Sequence, residues 1–164
     1  MAGRRAFVLA LAASTLTACG FELRRAPELR FKSIQLAGFP ARSLLAAELR
    51  SQLEASPTTR VVESPAEAQV ILQALSEARE KVVVAQTSAN QIREFELRLR
   101  FNFRVRNAVG KDLIADSEIV QRRSLTYTEA AALAKEQEEA FLFRAMQSDI
   151  VSQVLRRLAS VRLV

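Results

Sequence analysis

Histidine is absent from the 164 residues, and cysteine occurs once. With them go the commonest general base, the commonest metal ligand and any second thiol, which excludes Ser-His-Asp and Cys-His catalysis, the usual zinc sites and an internal disulfide. Nowhere does an apolar run approach the ~18 residues of a membrane-spanning helix. Carboxylate chemistry is the one catalytic plan left open. Glu94 and Glu96 stand two apart, and a strand would put both on one face. Alternating charges on a strand are ordinarily a solvated face, however, and the chain reads as a non-enzyme with no cofactor and no metal.

The single cysteine has a different use. Arg4 and Arg5 precede an uncharged run from Ala6 to Ala18, too short to span a bilayer and of the length of an export signal's apolar region. Leu16-Thr17-Ala18-Cys19 closes that run and resembles the lipobox of bacterial lipoproteins. The resemblance implies that residues 1–18 are removed and that Cys19 is acylated as the mature N-terminus. Each buried methylene of an acyl chain contributes about 0.8 kcal/mol, so two or more chains anchor a protein without any transmembrane helix. Gly20, where sorting to the inner membrane would favour Asp, resembles an outer-membrane address.

The chain carries 24 basic and 18 acidic side chains, and the signal takes away two arginines and no acid, so the mature protein stays net basic. In an exported chain that charge points to phosphorylated lipids and polyanionic glycans and away from nucleic acid. Residues 19–30 contain Pro27 and no sustained period and read as a tether, leaving residues 31–164 as a single domain.

Within that domain Phe31 to Leu36 alternates as a short strand, and Gly38-Phe39-Pro40 marks a turn. Pro40 then opens a helix with Leu45, Leu49 and Leu53 on one side, stopped by Ser56-Pro57. Residues 68–84 read as one long strand with room for a bulge between Ser76 and Glu80. The segment EFELRLRFNFRVR alternates without a break: Phe95, Leu97, Leu99, Phe101, Phe103 and Val105 face a core, while Glu94, Glu96, Arg98, Arg100, Asn102, Arg104 and Arg106 face away. A loop at Asn107–Lys111 leads to a further strand over Leu113–Tyr127. Thr126 and Glu129 have capping-box spacing ahead of a long helix whose stripe is Phe143, Met146, Ile150, Val154, Leu158 and Val161. The order β-α-β-β-β-α predicts an α+β two-layer sandwich: a four-stranded, mainly antiparallel sheet, both helices on one face and the other face polar.

Taken together, the lipobox, the stretch Cys19-Gly20-Phe21-Glu22-Leu23-Arg24, the long alternating strand and the acidic-to-basic C-terminal helix AKEQEEAFLFRAMQSDIVSQVLRRL resemble the LptE family of lipopolysaccharide-assembly lipoproteins. Arg25 stands where that family often has glycine. The resemblance implies an outer-membrane lipoprotein, facing the periplasm, that plugs the LptD β-barrel, supports its assembly and binds lipopolysaccharide. Its partners would then be LptD, lipopolysaccharide and, through acylated Cys19, the membrane, with no nucleic acid. Arg98, Arg100, Arg104 and Arg106 are the candidate lipopolysaccharide contacts, read from the strand itself because guanidinium forks suit phosphates. Two readings of that row stay open, an ordinary solvated face and a ligand surface. Two other functions also remain: a free-standing envelope lipoprotein that binds an anionic glycan or lipid, and a carboxylate-dependent hydrolase.

Overall fold

A computed structural model describes residues 28–163. The lipobox, Cys19 and the tether ahead of Glu28 lie outside the described residues.

Among the described residues five strands and two helices follow one another as β1 (Ser33–Ala37), α1 (Leu44–Glu54), β2 (Arg60–Val62), β3 (Val70–Gln86), β4 (Ile92–Asn107), β5 (Asp112–Thr126) and α2 (Ala132–Ala159). The strands form one sheet in the order β2-β1-β3-β4-β5. β1 is parallel to both β2 and β3, whereas β3, β4 and β5 form an antiparallel meander. The sheet is therefore mixed and has five strands where four, mainly antiparallel, were expected. β2 is the addition, and three residues are too few to display a period of two.

Along β4 the expected alternation holds from Leu97 to Val105, while Phe95 is half-buried and packs against the edge of the core. Leu97, Leu99, Phe101, Phe103 and Val105 are all buried, and each pairs across the sheet with residues of β3 and β5. Phe101 stacks on Phe103 at 5.3 Å between ring centroids and on Phe39 at 5.7 Å. Against this face lie Leu45, Leu49 and Leu53 of α1 and the whole predicted stripe of α2 from Phe143 to Leu158, with Val161 just beyond the helix. Among the described residues Phe31, 2% exposed, is the first that is buried.

β3 does not alternate so evenly, because it changes phase. Ala74 pairs with Phe103 and Ser76 with Asn102, so Leu75 is an extra residue without a partner on β4. Before the bulge Val70, Leu72 and Ala74 face the helices; after it Glu77, Arg79 and Lys81 take that side, opposite Phe101, Leu99 and Leu97. These three are matched by the helices. Glu77 accepts a hydrogen bond from Ser43 (2.6 Å), Arg79 donates to Gln147 (3.0 Å) and lies over the Phe143 ring, and Lys81 pairs with Glu139 (2.6 Å).

Two helix starts differ from expectation. α1 is capped by Ser43, whose hydroxyl accepts from the Ala46 N–H (3.0 Å), and Pro40 stays in the turn before it. The Thr126/Glu129 capping box does not form, because Thr126 is still paired with Glu94 in the sheet. A short 3-10 turn at Glu129–Ala131 comes first, and the Thr126 hydroxyl accepts from Lys135 of α2 (3.0 Å). Gly38 ends β1 with φ +76°, and a Cβ there would stand 2.4 Å from the Ala74 carbonyl oxygen, so the β1–α1 turn admits glycine alone without a shift of β3.

Candidate functional site

With both helices on one side, the other face of the sheet is open, and Arg98, Arg100, Arg104 and Arg106 of β4 lie on it at half-exposed positions. The sheet register decides what surrounds each one. Glu96 stands opposite Ser124, Arg98 opposite Arg122, Arg100 opposite Val120 and Asn102 opposite Glu118 on β5, while Glu80 of β3 faces Arg98.

This environment divides the row. Arg98 is ion-paired with Glu96 and lies 4.0 Å from Glu80; Arg100 lies 3.6 Å from Glu80 and 3.7 Å from Glu118. Three carboxylates thus neutralise the two upper guanidiniums. Asn102, donating to Ser76 (2.7 Å), separates them from the lower two. There the partner is neutral: the Gln73 side-chain oxygen accepts from Arg104 Nε (3.0 Å) and from Arg106 Nη2 (2.5 Å). Among the described residues no carboxylate forms an ion pair with Arg104 or Arg106; the buried Nε atoms of Arg106 and of Arg100 both lack a hydrogen-bond partner.

The chemistry follows from that division. An anion approaching Arg98 or Arg100 would have to displace carboxylates, gaining little because exposed pairs are worth only about 0–1 kcal/mol and simply exchange. At Arg104 and Arg106 the guanidiniums are held in place by an amide, so two full positive charges remain available, with further N–H donors in fork geometry for a phosphate or carboxylate. Sequence placed all four arginines on the right face but missed Gln73, Glu80 and Glu118. Their roles depend on the register across three strands and on the bulge at Leu75, and no single segment contains that information.

The carboxylates weighed for catalysis are also committed. Glu94 accepts a hydrogen bond from Ser124 and Glu96 pairs with Arg98. Among the described residues no group of three or more acidic or cysteine side chains is placed to hold a metal.

The LptE family of lipopolysaccharide-assembly proteins matches the chain over residues 31–158. No curated protein matches it. Among solved structures the chain is similar to an uncharacterised lipoprotein B from Nitrosomonas europaea, at 31% identity and a TM-score of 0.74, covering 86% of this chain and 91% of that one. A rare lipoprotein B from Shewanella oneidensis is 19% identical with a TM-score of 0.67, covering 79% of this chain and 95% of that one. A minor lipoprotein from Acinetobacter baumannii is 19% identical with a TM-score of 0.64, covering 81% and 94%. At that identity the last two bear on the fold alone.

Proposed function

The chain belongs to the LptE lipopolysaccharide-assembly family, and from that membership we propose that it is held to the outer membrane, facing the periplasm, by acylated Cys19 and sits in the lumen of the LptD β-barrel. There it supports assembly of the barrel and contacts lipopolysaccharide on its way to the outer leaflet. Residues 1–18 are the removed signal, residues 19–30 the tether and residues 31–164 the plug. The role is non-enzymatic.

One observation carries the ligand half of this reading. Arg104 and Arg106 are fixed by Gln73 and, unlike Arg98 and Arg100, form no ion pair among the described residues, as a contact for lipid-borne phosphate requires. The barrel half draws on surface chemistry. Barrel lumens are polar, so their occupant is a water-compatible fold with a charged exterior. The open face of β4 has that character, and among the described residues no helix is long and apolar enough to cross a membrane.

The test is a pair of double variants. Arg104→Gln with Arg106→Gln should weaken lipopolysaccharide capture several-fold, while the melting temperature stays within a degree or two, because polar-face changes seldom exceed about 0.5 kcal/mol. Arg98→Gln with Arg100→Gln should leave capture near wild type, since those charges are already matched. Equal losses from the two pairs, or none from either, contradict the assignment to Arg104 and Arg106.

A further inference from the structure

We propose that the end of the domain where the chain arrives from the anchor is a headgroup site for anionic glycerophospholipids, formed by Arg30, Lys32 and Arg60 around one groove. The inference rests on the reading of Cys19 as the lipid anchor.

The sheet register gathers these residues. Ser33 pairs with Arg60, Ile34 with Val70, Val70 with Asn107 and Arg106 with Asp112, so β1, β2, β3 and β5 all begin, and β4 ends, at the same edge of the molecule. Arg60 and Lys32 are tied there by an Arg60 N–H to Lys32 carbonyl bond of 3.0 Å. Between them and the loop after α1 opens a groove of about 950 Å³, the lining of which includes Leu29, Arg30, Lys32, Pro57, Arg60 and Gln69.

The groove is rich in donors. Arg30, Lys32 and Arg60 are exposed and form no ion pair among the described residues, unlike Arg50, Lys81, Arg98, Arg100, Arg123 and Lys135 elsewhere. Gln69 accepts from the Lys32 N–H through Oε1 (2.7 Å), which turns its side-chain amide nitrogen into a donor without a partner in the described residues. Ser56 and Thr58 also line the groove, their hydroxyls 3.2 Å apart. Sharing one hydrogen bond leaves one hydroxyl proton for an outside acceptor. Among the described residues Glu67 is the single carboxylate in the lining. Three cations, an amide and a hydroxyl against one acid form a receptor for a phosphate monoanion or diester.

Position selects the source of that phosphate. Glu28 follows Cys19 by nine residues, at most about 30 Å of extended chain, so an anchored Cys19 keeps the groove within reach of the headgroup layer. An anionic surface acts on basic residues only within a Debye length of ~8 Å at physiological ionic strength. Occupation of the groove by a headgroup would therefore seat the domain with this end toward the membrane.

The acylated full-length lipoprotein is reconstituted into phosphatidylcholine vesicles with and without phosphatidylglycerol. Amide hydrogen exchange is then followed over residues 29–33 and 56–60. Co-flotation with vesicles of either composition establishes the anchor separately, so a protein that fails to float indicts the Cys19 reading and not the groove. Exchange in both segments should slow several-fold when phosphatidylglycerol is present, and return to the phosphatidylcholine rate at high salt and in the Arg30→Gln, Lys32→Gln, Arg60→Gln variant. The charge-conserving Arg60→Lys protein should keep the slowing. The proposal is overturned by equal exchange on the two vesicles, by slowing that survives in the triple variant, or by the same slowing from inorganic phosphate on pure phosphatidylcholine.

Discussion

Arg104 and Arg100 sit on the same face of the same strand, four residues apart, yet one keeps its charge and the other faces Glu80 and Glu118. The difference lies in the neighbours that β3 and β5 bring alongside. A row of like residues can be located by its period, whereas its electrostatics belong to the sheet. On the buried face of β4 the reverse holds, because an unbroken period is enough to place its core residues. Phe101 was placed at the centre of the core by alternation and is 0% exposed, stacked between Phe39 and Phe103. Truncating it by Phe101→Ala removes the middle ring of that stack and should cost about 3–5 kcal/mol. A urea denaturation series measures this; a midpoint unchanged from wild type would place the ring outside the core.

Element by element, what could be read from the chain is what is local. β4, the stripe of α2 and the leucines of α1 repeat over enough residues for their period to emerge, and each occupies the layer it was assigned. β2 is too short for a pattern, and the capping-box spacing at Thr126 is overridden because that residue completes a strand pair with Glu94 before any helix begins. The bulge at Leu75 is the least local feature, since it is defined by Ala74 and Ser76 pairing with successive residues of β4. It also makes a sharp prediction. Deleting Leu75 restores regular alternation and keeps Glu77, Arg79 and Lys81 beneath the helices, so the fold should survive with a modest loss of stability. Deleting Ala78 instead turns Arg79 and Lys81 to the open face and Glu80 inward, since a one-residue slip moves every later side chain across the sheet. That protein should lose cooperative melting by circular dichroism. Comparable melts for the two deletions would show that the phase of β3 does not hold the helices in place.

At the scale of the whole molecule, the domain presents two distinct surfaces: the open face of the sheet with Arg104 and Arg106, and the basic end where the chain arrives from Cys19. Both take their meaning from where the protein is held. Cys19→Ala should leave the domain folded, because Cys19 lies outside every periodic segment of the sequence, while the protein shifts from the membrane to the soluble fraction or stays unprocessed. Radiolabelled palmitate that still enters this variant would refute the acylation site. The proposed plug within a barrel implies a fixed partner in fixed proportion. The most direct measurement is purification of the affinity-tagged lipoprotein from detergent-solubilised outer membranes, with the co-eluting proteins identified and quantified. The account predicts the LptD barrel at one copy per lipoprotein, retained in the Arg104→Gln, Arg106→Gln protein; a lipoprotein that elutes without any barrel, though folded and acylated, would contradict it.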